Sequence, residues 1–368
     1  MTRIQRTTIR SLAFVIATML ALAVQIAAAN PTAKSQGLWV GGINYISEFQ
    51  GKTLTKGGTR RANAAFGSQA FDTPNSIVFD RRNNLWIAYG GGASVIELSP
   101  GQIASIKSGT PTRPEVILRS GKSGYPNPFI TPGSLAFDRA GDMWVSDNYR
   151  GILKFLPKQI QRSGAPSPNL LITAAPNFVP EAIRFDASDN LWVSQFQLPY
   201  EPSNSMQMAR YAPGDRAASG PANPGLVVNS PGLVFPVNFA FDRSGNLWLA
   251  GSNSNNDELD MISAADLGGT GVISPSAAVN ITSSSFGKLN GTGSCIGGID
   301  FDRSGDLWVS VGTDNADCGG NTATEVVEFT PSQLSVGGNL TPSVTISQNL
   351  KKTNLFLLGP ITIGPTIE

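Results

Sequence analysis

Residues 239–250 read Phe-Ala-Phe-Asp-Arg-Ser-Gly-Asn-Leu-Trp-Leu-Ala, and variants of this phrase recur along the chain. Each of the six tryptophans follows a leucine or methionine and precedes a leucine or β-branched residue: Trp39, Trp86, Trp144, Trp192, Trp248 and Trp308. Their spacings of 47, 58, 48, 56 and 60 residues are typical of a repeat whose unit is one supersecondary module. The sequence therefore predicts a fold of six repeated units.

Five of the units contain an apolar run that ends in Phe-Asp, six residues before the tryptophan. The aspartates are Asp80, Asp138, Asp186, Asp242 and Asp302. Three residues after each aspartate stands a residue type that tolerates the left-handed conformation of a tight turn: Asn83, Gly141, Asp189, Gly245 and Gly305. Each unit is thus predicted to contain a strand, a turn stabilised by the aspartate carboxylate, and a second strand that carries the tryptophan.

Further strand-like runs follow in each unit, such as Ser94–Leu98 and Gly151–Phe155, and then Pro-bounded runs such as Glu115–Leu118. Four strands per unit, repeated radially, form a β-propeller, in which both faces of each sheet pack against neighbouring sheets. The sequence predicts an all-β, six-bladed propeller with four-stranded blades.

The two ends of the chain contain one incomplete unit each. Trp39 has no Phe-Asp before it, and the C-terminal run Gly359–Ile363 resembles an inner strand with no tryptophan strand after it. Pairing of Gly37–Val40 with the C-terminal strand would complete the sixth blade and close the ring.

The first 29 residues have the pattern of a secretory signal peptide: Arg3, Arg6 and Arg10, an apolar run, and Ala27-Ala28-Ala29 before Asn30-Pro31. A membrane anchor is the alternative, although the apolar run is short and rich in alanine. We expect residues 1–29 to be removed and residues 30–368 to form one propeller domain. The protein would then be exported, to the periplasm or the extracellular space.

The composition excludes some classes of partner. The chain has 27 basic and 26 acidic residues, a formal net charge of +1, 40 glycines and 25 prolines. Because it has no long basic run, we expect no nucleic-acid binding, and no segment after the signal is long and apolar enough to span a membrane. We expect a monomer whose partner is a protein, glycan or small molecule.

Cys295 and Cys318 are the only cysteines, and both belong to the unit of Trp308. One precedes the inner strand and the other follows the tryptophan strand, so antiparallel pairing would bring both to the same end of the blade. Export predicts a disulfide between them, and two buried free thiols are the alternative.

The repeat topology locates one functional rim, where inner strands begin and tryptophan strands end. Asn75, Glu181 and Asn238 stand at inner-strand entries and are predicted to point at one central pore mouth. Converging oxygen ligands suit a hard divalent cation, Ca²⁺ first among them. The alternative is that these side chains cap strand ends and hold water in the channel.

Two charges stand inside inner strands, where other units place Val78, Ala136 and Ala240. These are Arg184 and Asp300, and a buried charge needs a partner or a function. Asp300 is a candidate for a metal or a proton and Arg184 for an anionic group, while satisfaction by water or backbone is the structural alternative.

Loops of the second and third units place polar and aromatic side chains on Pro-rich segments at the same rim, as suits ligand or protein binding. The candidate rim residues are Tyr125, Phe129, Asp147, Asn148, Tyr149, Phe196 and Tyr200, with Arg184 inside the channel. Exposed aromatics scattered over a surface are the alternative interpretation.

The pattern Pro-x-x-Ile-x-Phe-Asp-x-x-Gly-Asn-Leu-Trp-Val-Ser, which residues 180–194 match with Asp189 at the glycine position, resembles NHL-type propellers, streptogramin lyases and regucalcin-like gluconolactonases. The resemblance extends over nearly all of the chain after the signal and implies the fold more than the activity. Streptogramin lyases use a catalytic histidine with Mg²⁺. This chain has no histidine, so that activity is not expected.

Regucalcin-like lactonases hold a divalent cation with Glu, Asn and Asp. The resemblance implies that Glu181 takes the place of the glutamate and Asn75 or Asn238 that of the asparagine. Glu181 follows its proline, however, whereas the family's glutamate precedes Gly-Pro, and Asp300, Asp147 or Asp314 would have to replace the aspartate. Two hypotheses remain: a non-catalytic binding propeller, which we favour, and a metal-dependent lactonase-type hydrolase centred on Glu181.

Overall fold

A computed structural model describes residues 36–42, 45–60, 62–67, 74–107, 113–119, 128–173, 178–197, 207–230, 232–233, 235–253, 256–286, 296–312, 324–348 and 360–366. The predicted signal peptide lies outside these residues. So do Tyr125, Tyr200, Cys295, Asp314 and Cys318. The export and disulfide predictions therefore stay predictions.

Six small sheets are arranged in a ring. In chain order their strands are β1 (Gln36–Gly42), β2 (Tyr45–Phe49), β3 (Gly58–Arg60), β4 (Ala64–Gly67), β5 (Pro74–Phe79), β6 (Leu85–Tyr89), β7 (Ser94–Leu98), β8 (Val116–Leu118), β9 (Pro132–Phe137), β10 (Met143–Asp147), β11 (Gly151–Phe155), β12 (Leu170–Thr173), β13 (Phe178–Phe185), β14 (Leu191–Gln197), β15 (Gln207–Tyr211), β16 (Gly220–Pro221), β17 (Leu226–Asn229), β18 (Phe235–Phe241), β19 (Leu247–Ser252), β20 (Asp257–Ile262), β21 (Gly271–Ile273), β22 (Val279–Thr282), β23 (Ile296–Phe301), β24 (Leu307–Gly312), β25 (Thr324–Phe329), β26 (Gly338–Asn339), β27 (Val344–Gln348) and β28 (Ile361–Pro365).

Each blade has four antiparallel strands, numbered here from the central axis outward, with the tryptophan on the second. Blade 1 consists of β5 to β8, blade 2 of β9 to β12, blade 3 of β13, β14, β15 and β17, blade 4 of β18, β19, β20 and β22, blade 5 of β23, β24, β25 and β27, and blade 6 of β28, β1, β2 and β4. The predicted six-bladed propeller is confirmed.

The ring is closed in blade 6, where β28 is the inner strand and β1 pairs with it. Leu38 lies opposite Ile363 and Val40 opposite Ile361. The indole nitrogen of Trp39 donates to the main-chain oxygen of Pro365 over 3.1 Å. The predicted pairing of the two chain ends is therefore confirmed.

The Phe-Asp turns show why the phrase repeats. In blade 1 one carboxylate oxygen of Asp80 accepts from the amides of Arg82 and Asn84, and the other accepts from the indole nitrogen of Trp86 over 3.0 Å. The third residue after each aspartate has positive φ: Asn83, Gly141, Asp189, Gly245 and Gly305. The turn prediction is confirmed, and the hydrogen bond to the indole is an addition to it.

The core lies between the blades, where aromatic rings of neighbouring units meet. Each tryptophan of blades 6, 1, 2, 3 and 4 packs edge-on or tilted against the phenylalanine of the next blade's Phe-Asp pair. Trp39 and Phe79, for example, have ring centroids 5.4 Å apart. Such pairs add attraction beyond the buried area alone, so one motif makes both the turn and the blade interface.

A short fifth strand extends four of the blades and was not predicted. β16, β21, β26 and β3 each come from the next blade and pair in parallel with the outermost strand of blades 2, 3, 4 and 5. They lie in the connection between a blade's third and fourth strands, which also contains three short helices: α1 (Lys52–Lys56), α2 (Pro100–Lys107) and α3 (Pro331–Leu334). Of the helices in the described residues, none is long and apolar enough to cross a bilayer.

Candidate functional site

A cavity of about 440 Å³ occupies the mouth of the central channel and is called here the pore-mouth cavity. Residues near the start of all six inner strands line it: Asn75, Gly133, Glu181, Asn238, Gly297 and Pro360. Neighbouring inner strands contact one another around the whole ring. The side chains at these positions therefore converge because of the blade repeat.

A β-bulge recurs at the strand entries and involves two of the residues that line the cavity, Asn75 and Glu181. In blade 1 the register shifts between Pro74 and Ser76, so that Asn75 has no opposite residue on β6. The same shift spans Glu181 in blade 3. An extra residue unpaired in the ladder re-aims its side chain, and proline fits there because a bulge needs no donor from it.

Asn75, Glu181 and Asn238, the three residues predicted at the pore mouth, all line this cavity. The amide nitrogen of Asn75 donates to the main-chain oxygen of Pro132 over 3.0 Å. The amide oxygen of Asn238 accepts from the main-chain nitrogen of Phe239 over 2.8 Å. The structure brings the three together, and metal binding by them stays a prediction.

Among the described residues that line the cavity, Glu181 carries the carboxylate. It is half-buried, and its carboxylate accepts one long hydrogen bond, 3.4 Å, from the side-chain nitrogen of Asn148. Burial raises the pKa of this carboxyl from 4.5 to about 7. Glu181 can therefore change its charge near neutral pH, a property typical of residues that handle ligands or protons.

The raised pKa predicts a pH-dependent effect of removing the charge. Glu181→Gln is expected to be more stable than the wild type at pH 8 by about 1–3 kcal/mol and equally stable at pH 4. Below the ordinary pKa both the folded and unfolded chains hold the proton. Between pH 4.5 and about pH 7 the unfolded chain releases the proton more easily than the folded chain does. The wild type therefore loses stability as the pH rises through this range.

Urea unfolding across this pH range measures the difference. The exposed Glu115 provides a matched control, because Glu115→Gln makes the same chemical change where the carboxylate is solvated. A free-energy difference between the Glu181 variant and the wild type that does not vary with pH would contradict the raised pKa of this carboxyl in the folded chain.

Asn148 is the second unusual group of the cavity. It follows β10 and lines the cavity, yet its side-chain oxygen is buried and has no hydrogen-bond partner among the described residues. Its position is fixed by the preceding Asp147, whose carboxylate accepts from the main-chain nitrogens of Ile130 and Thr131. The fold thus holds an unused acceptor beside Glu181.

Arg184 and Asp300 satisfy each other inside the channel. The guanidinium of Arg184 lies 3.2 Å from Asp300 and also donates to the main-chain oxygen of Ile299. Asp300 further accepts from the hydroxyl of Thr362 and the amide of Ile363. The candidate metal ligand Asp300 is therefore engaged in an ion pair that joins blades 3 and 5, which accounts for both charges structurally.

The predicted aromatic rim is only partly exposed. Phe129 is 1% exposed and packs edge-on against Phe155, so it is a core residue and not a surface contact. Asp147 is fully buried and organises its own loop. Tyr149 is 76% exposed, and the backbone of Phe196 pairs with Val179.

A separate carboxylate cluster, which we did not predict, lies at the turn of blade 5. Single oxygens of Asp302, Asp306 and Glu328 lie within 4.8 Å of one another, close enough to hold a metal ion. The equivalent of Glu328 in blade 2 is Lys154, which pairs with Asp142 over 2.6 Å. Aligning the repeats across their paired strands would have shown this acidic residue at a position where blade 2 has a lysine. None of the three carboxylates lines the pore-mouth cavity.

The chain matches no protein-family model and no curated protein. Among solved structures, a protein of unknown function from Bacteroides caccae has a TM-score of 0.56 at 12% identity and covers 90% of this chain and 100% of its own. The calcium-binding protein regucalcin from Agrobacterium tumefaciens has a TM-score of 0.42 at 15% identity, covering 73% and 72%. A gluconolactonase from Xanthomonas campestris has 0.40 at 13%, covering 77% and 80%. All three are 15% identical to this chain or less, and the Bacteroides caccae match indicates a shared fold alone.

Proposed function

We propose that this propeller is a binding protein whose pore-mouth cavity holds a small, polar, hydroxyl-rich ligand, with Glu181 and Asn148 as its principal contacts. One observation carries the proposal: side chains that line the pore-mouth cavity have hydrogen-bonding capacity that is left unused. Among the described residues, the side-chain oxygen of Asn148 has no partner, and the Glu181 carboxylate accepts one long bond, from Asn148. Because buried polar groups normally find partners, ligand hydroxyls are suitable donors for both.

The size of the cavity supports a small molecule. About 440 Å³ falls within the range of ordinary ligand pockets. Gly133 and Gly297 contribute no side chains to its wall, which leaves the space open. A compact saccharide or sugar lactone fits these dimensions.

The charges favour a neutral or cationic ligand. Above about pH 7 Glu181 is ionised, while Arg184, the guanidinium in the same cavity, is held by Asp300. An anionic ligand would face the carboxylate without a free cation from this pair. The exposed ring of Tyr149, next in the chain to Asn148, adds an aromatic face at the rim for stacking on a sugar ring.

The test is a ligand panel on the full chain, stripped of metal with chelator. Neutral sugars, amino sugars and aldonolactones are scored by the rise in melting temperature, and the hits are titrated by calorimetry. We expect Glu181→Gln and Asn148→Ala to weaken the best hit by at least about tenfold, since each removes a contact in a desolvated cavity.

The exposed Glu115→Gln variant is the matched control and should bind as the wild type does. A hit that binds both cavity variants with the same affinity as the wild type would place the ligand elsewhere. In that case the proposed role of the pore-mouth cavity is wrong.

A metal-dependent lactonase is the second candidate, and the same oxygens favour it. Glu181, with the side-chain oxygens of Asn148 and Asn75, could hold a divalent cation at the pore mouth, which when bound polarises a lactone carbonyl and activates water. Asp300 does not fit this role, because its oxygens are engaged by Arg184, Thr362 and Ile363. Acid release from lactones that requires both a cation and Glu181 would favour this candidate.

A further inference from the structure

A second polar cavity, of about 560 Å³, lies between the outer parts of blades 3 and 4, and it is lined by third-strand and fourth-strand residues and adjoining segments, not by inner strands. We call it the blade 3–4 pocket. Its wall is rich in oxygen. It is formed by Asn229 and Ser230 at the end of β17, Ser274 and Ser276 after β21, and Glu258 and Asp260 on β20.

Asp260 is the group that needs explanation. It is 1% exposed, and one carboxylate oxygen accepts from Asn280 over 2.8 Å, whereas the other is buried with no partner among the described residues. Burial is the main reason that the pKa of Asp260 is raised to about 6. The hydrogen bond from Asn280 lowers this pKa, and the nearby charge of Glu258 raises it. An ionised carboxylate in this position is costly unless a cation or donor joins it.

The repeat shows that this acid is not required by the fold. Asp260 lies opposite Leu249, the residue after the tryptophan. Four other blades have an apolar residue at the equivalent position: Ile96, Leu153, Ala209 and Val327. Packing alone would therefore accept a hydrophobic side chain here, and the carboxylate is an addition specific to blade 4.

Glu258 brings a second carboxylate to the same space. It lies two residues before Asp260 on the same face of β20, is 6% exposed, and accepts from Asn253 with one oxygen. A Cβ on Gly232 would lie 3.3 Å from the other oxygen of Glu258 and 3.5 Å from the unpartnered oxygen of Asp260. Both oxygens thus converge on the space that glycine leaves open.

The ion pairs of the described residues involve neither of these two acids. We propose that Glu258 and Asp260 bind a divalent metal cation in the blade 3–4 pocket, with Ca²⁺ as the best fit. Ca²⁺ binds about six to eight hard oxygen ligands. The pocket offers two converging carboxylate oxygens, hydroxyls such as that of Ser230, and space for water molecules that would complete the coordination. This site is independent of the ligand proposed for the pore mouth.

Calorimetric titration of the chelator-stripped full chain with CaCl₂, and separately with MgCl₂, tests the site, together with thermal unfolding under the same conditions. We expect saturable Ca²⁺ binding that raises the melting temperature of the wild type. Asp260→Asn and Glu258→Gln should each lower the affinity by at least about tenfold, because each removes a charged ligand.

Asp260→Leu is the second variant, since leucine is the residue of blade 2 at this position and should fold without a buried charge. It should melt at or above the wild-type temperature in chelator and show no response to Ca²⁺. Glu97→Gln is the matched control, because it removes another buried carboxyl of a third strand and should leave Ca²⁺ affinity unchanged.

Two outcomes would overturn the proposal. One is the absence of saturable binding of either cation to the wild type. The other is binding that survives in Asp260→Leu and disappears in Glu181→Gln, which would place the cation at the pore mouth. Loss of ligand binding at the pore mouth with Ca²⁺ binding intact would instead contradict only the proposed function.

Discussion

A chain that ends at Gly359 is expected to lose the cooperative thermal unfolding transition of the whole propeller. Such a chain lacks β28, which is the inner strand of blade 6 and comes from the opposite end of the sequence from β1. Without it, β1 has no neighbour on its axial side, and the ring has a gap between blades 5 and 1.

The contacts of β28 explain why the effect should be large. Ile361 is 3% exposed and belongs to the core shared with Leu38 of its own blade and Trp308 of blade 5. On the other side, Gly364 approaches Phe79 of blade 1 so closely that a Cβ would overlap the ring. Losing the paired strand and both interfaces should remove more than about 5 kcal/mol, comparable to the entire stability of many domains.

Differential scanning calorimetry of the truncated and full chains measures this. The matched control ends at Thr366, after β28, and should melt as the full chain does. A chain ending at Gly359 that unfolds cooperatively at the same temperature would show that the ring does not depend on its terminal strand pair.

The fold could be predicted from the sequence because its determinants are local. The aspartate, the left-handed residue and the tryptophan of each turn lie within six residues of one another, as with Asp80, Asn83 and Trp86. The repetition then predicts the long-range contacts, because each unit packs against the next copy of itself and the copies together form a ring. The fifth strands escaped prediction because two or three residues around a glycine give no periodic signal.

The site could be predicted only as a set of positions. Topology places Glu181 and Asn148 on one rim, but the hydrogen bond that joins them spans 33 residues and depends on how blade 2 meets blade 3. The pairing of Arg184 with Asp300 spans 116 residues for the same reason. Contacts between blades decide which buried polar atoms are left without a hydrogen-bond partner. No short sequence motif specifies those contacts.

Burial separates the structure from the sequence interpretation at Phe129, and it gives Asp260 a setting about which the sequence analysis made no prediction. Phe129 stands in a Pro-rich segment typical of an exposed loop, yet Phe155 of the same blade covers it. Asp260 belongs to the polar run Asp-Glu-Leu-Asp, which is buried on both faces of β20. The cover comes from neighbouring elements whose position the local sequence does not specify.

Asp138→Ala is expected to lower the free energy of unfolding by about 3–5 kcal/mol, the most of any of the five turn aspartates. Asp138 is 5% exposed and accepts from the indole nitrogen of Trp144 over 3.0 Å. It also faces two cations, Lys154 at 3.9 Å and Arg216 at 3.7 Å. Arg216 lies 5.0 Å over the rings of both Trp144 and Phe185, so the carboxylate stabilises the interface of blades 2 and 3.

Asp242→Ala in blade 4 separates the turn from the ion cluster. Asp242 makes the same bonds to its turn and to the indole of Trp248, but Met261 stands where blade 2 has Lys154. Its loss should therefore be nearer about 2 kcal/mol, the value of the hydrogen bonds alone. Asp138→Asn, which keeps an acceptor for the indole and removes the charge, should fall between the two alanine variants. Equal losses in Asp138→Ala and Asp242→Ala by urea unfolding would show that the cations add nothing, and that the five turns stabilise the ring by one common mechanism.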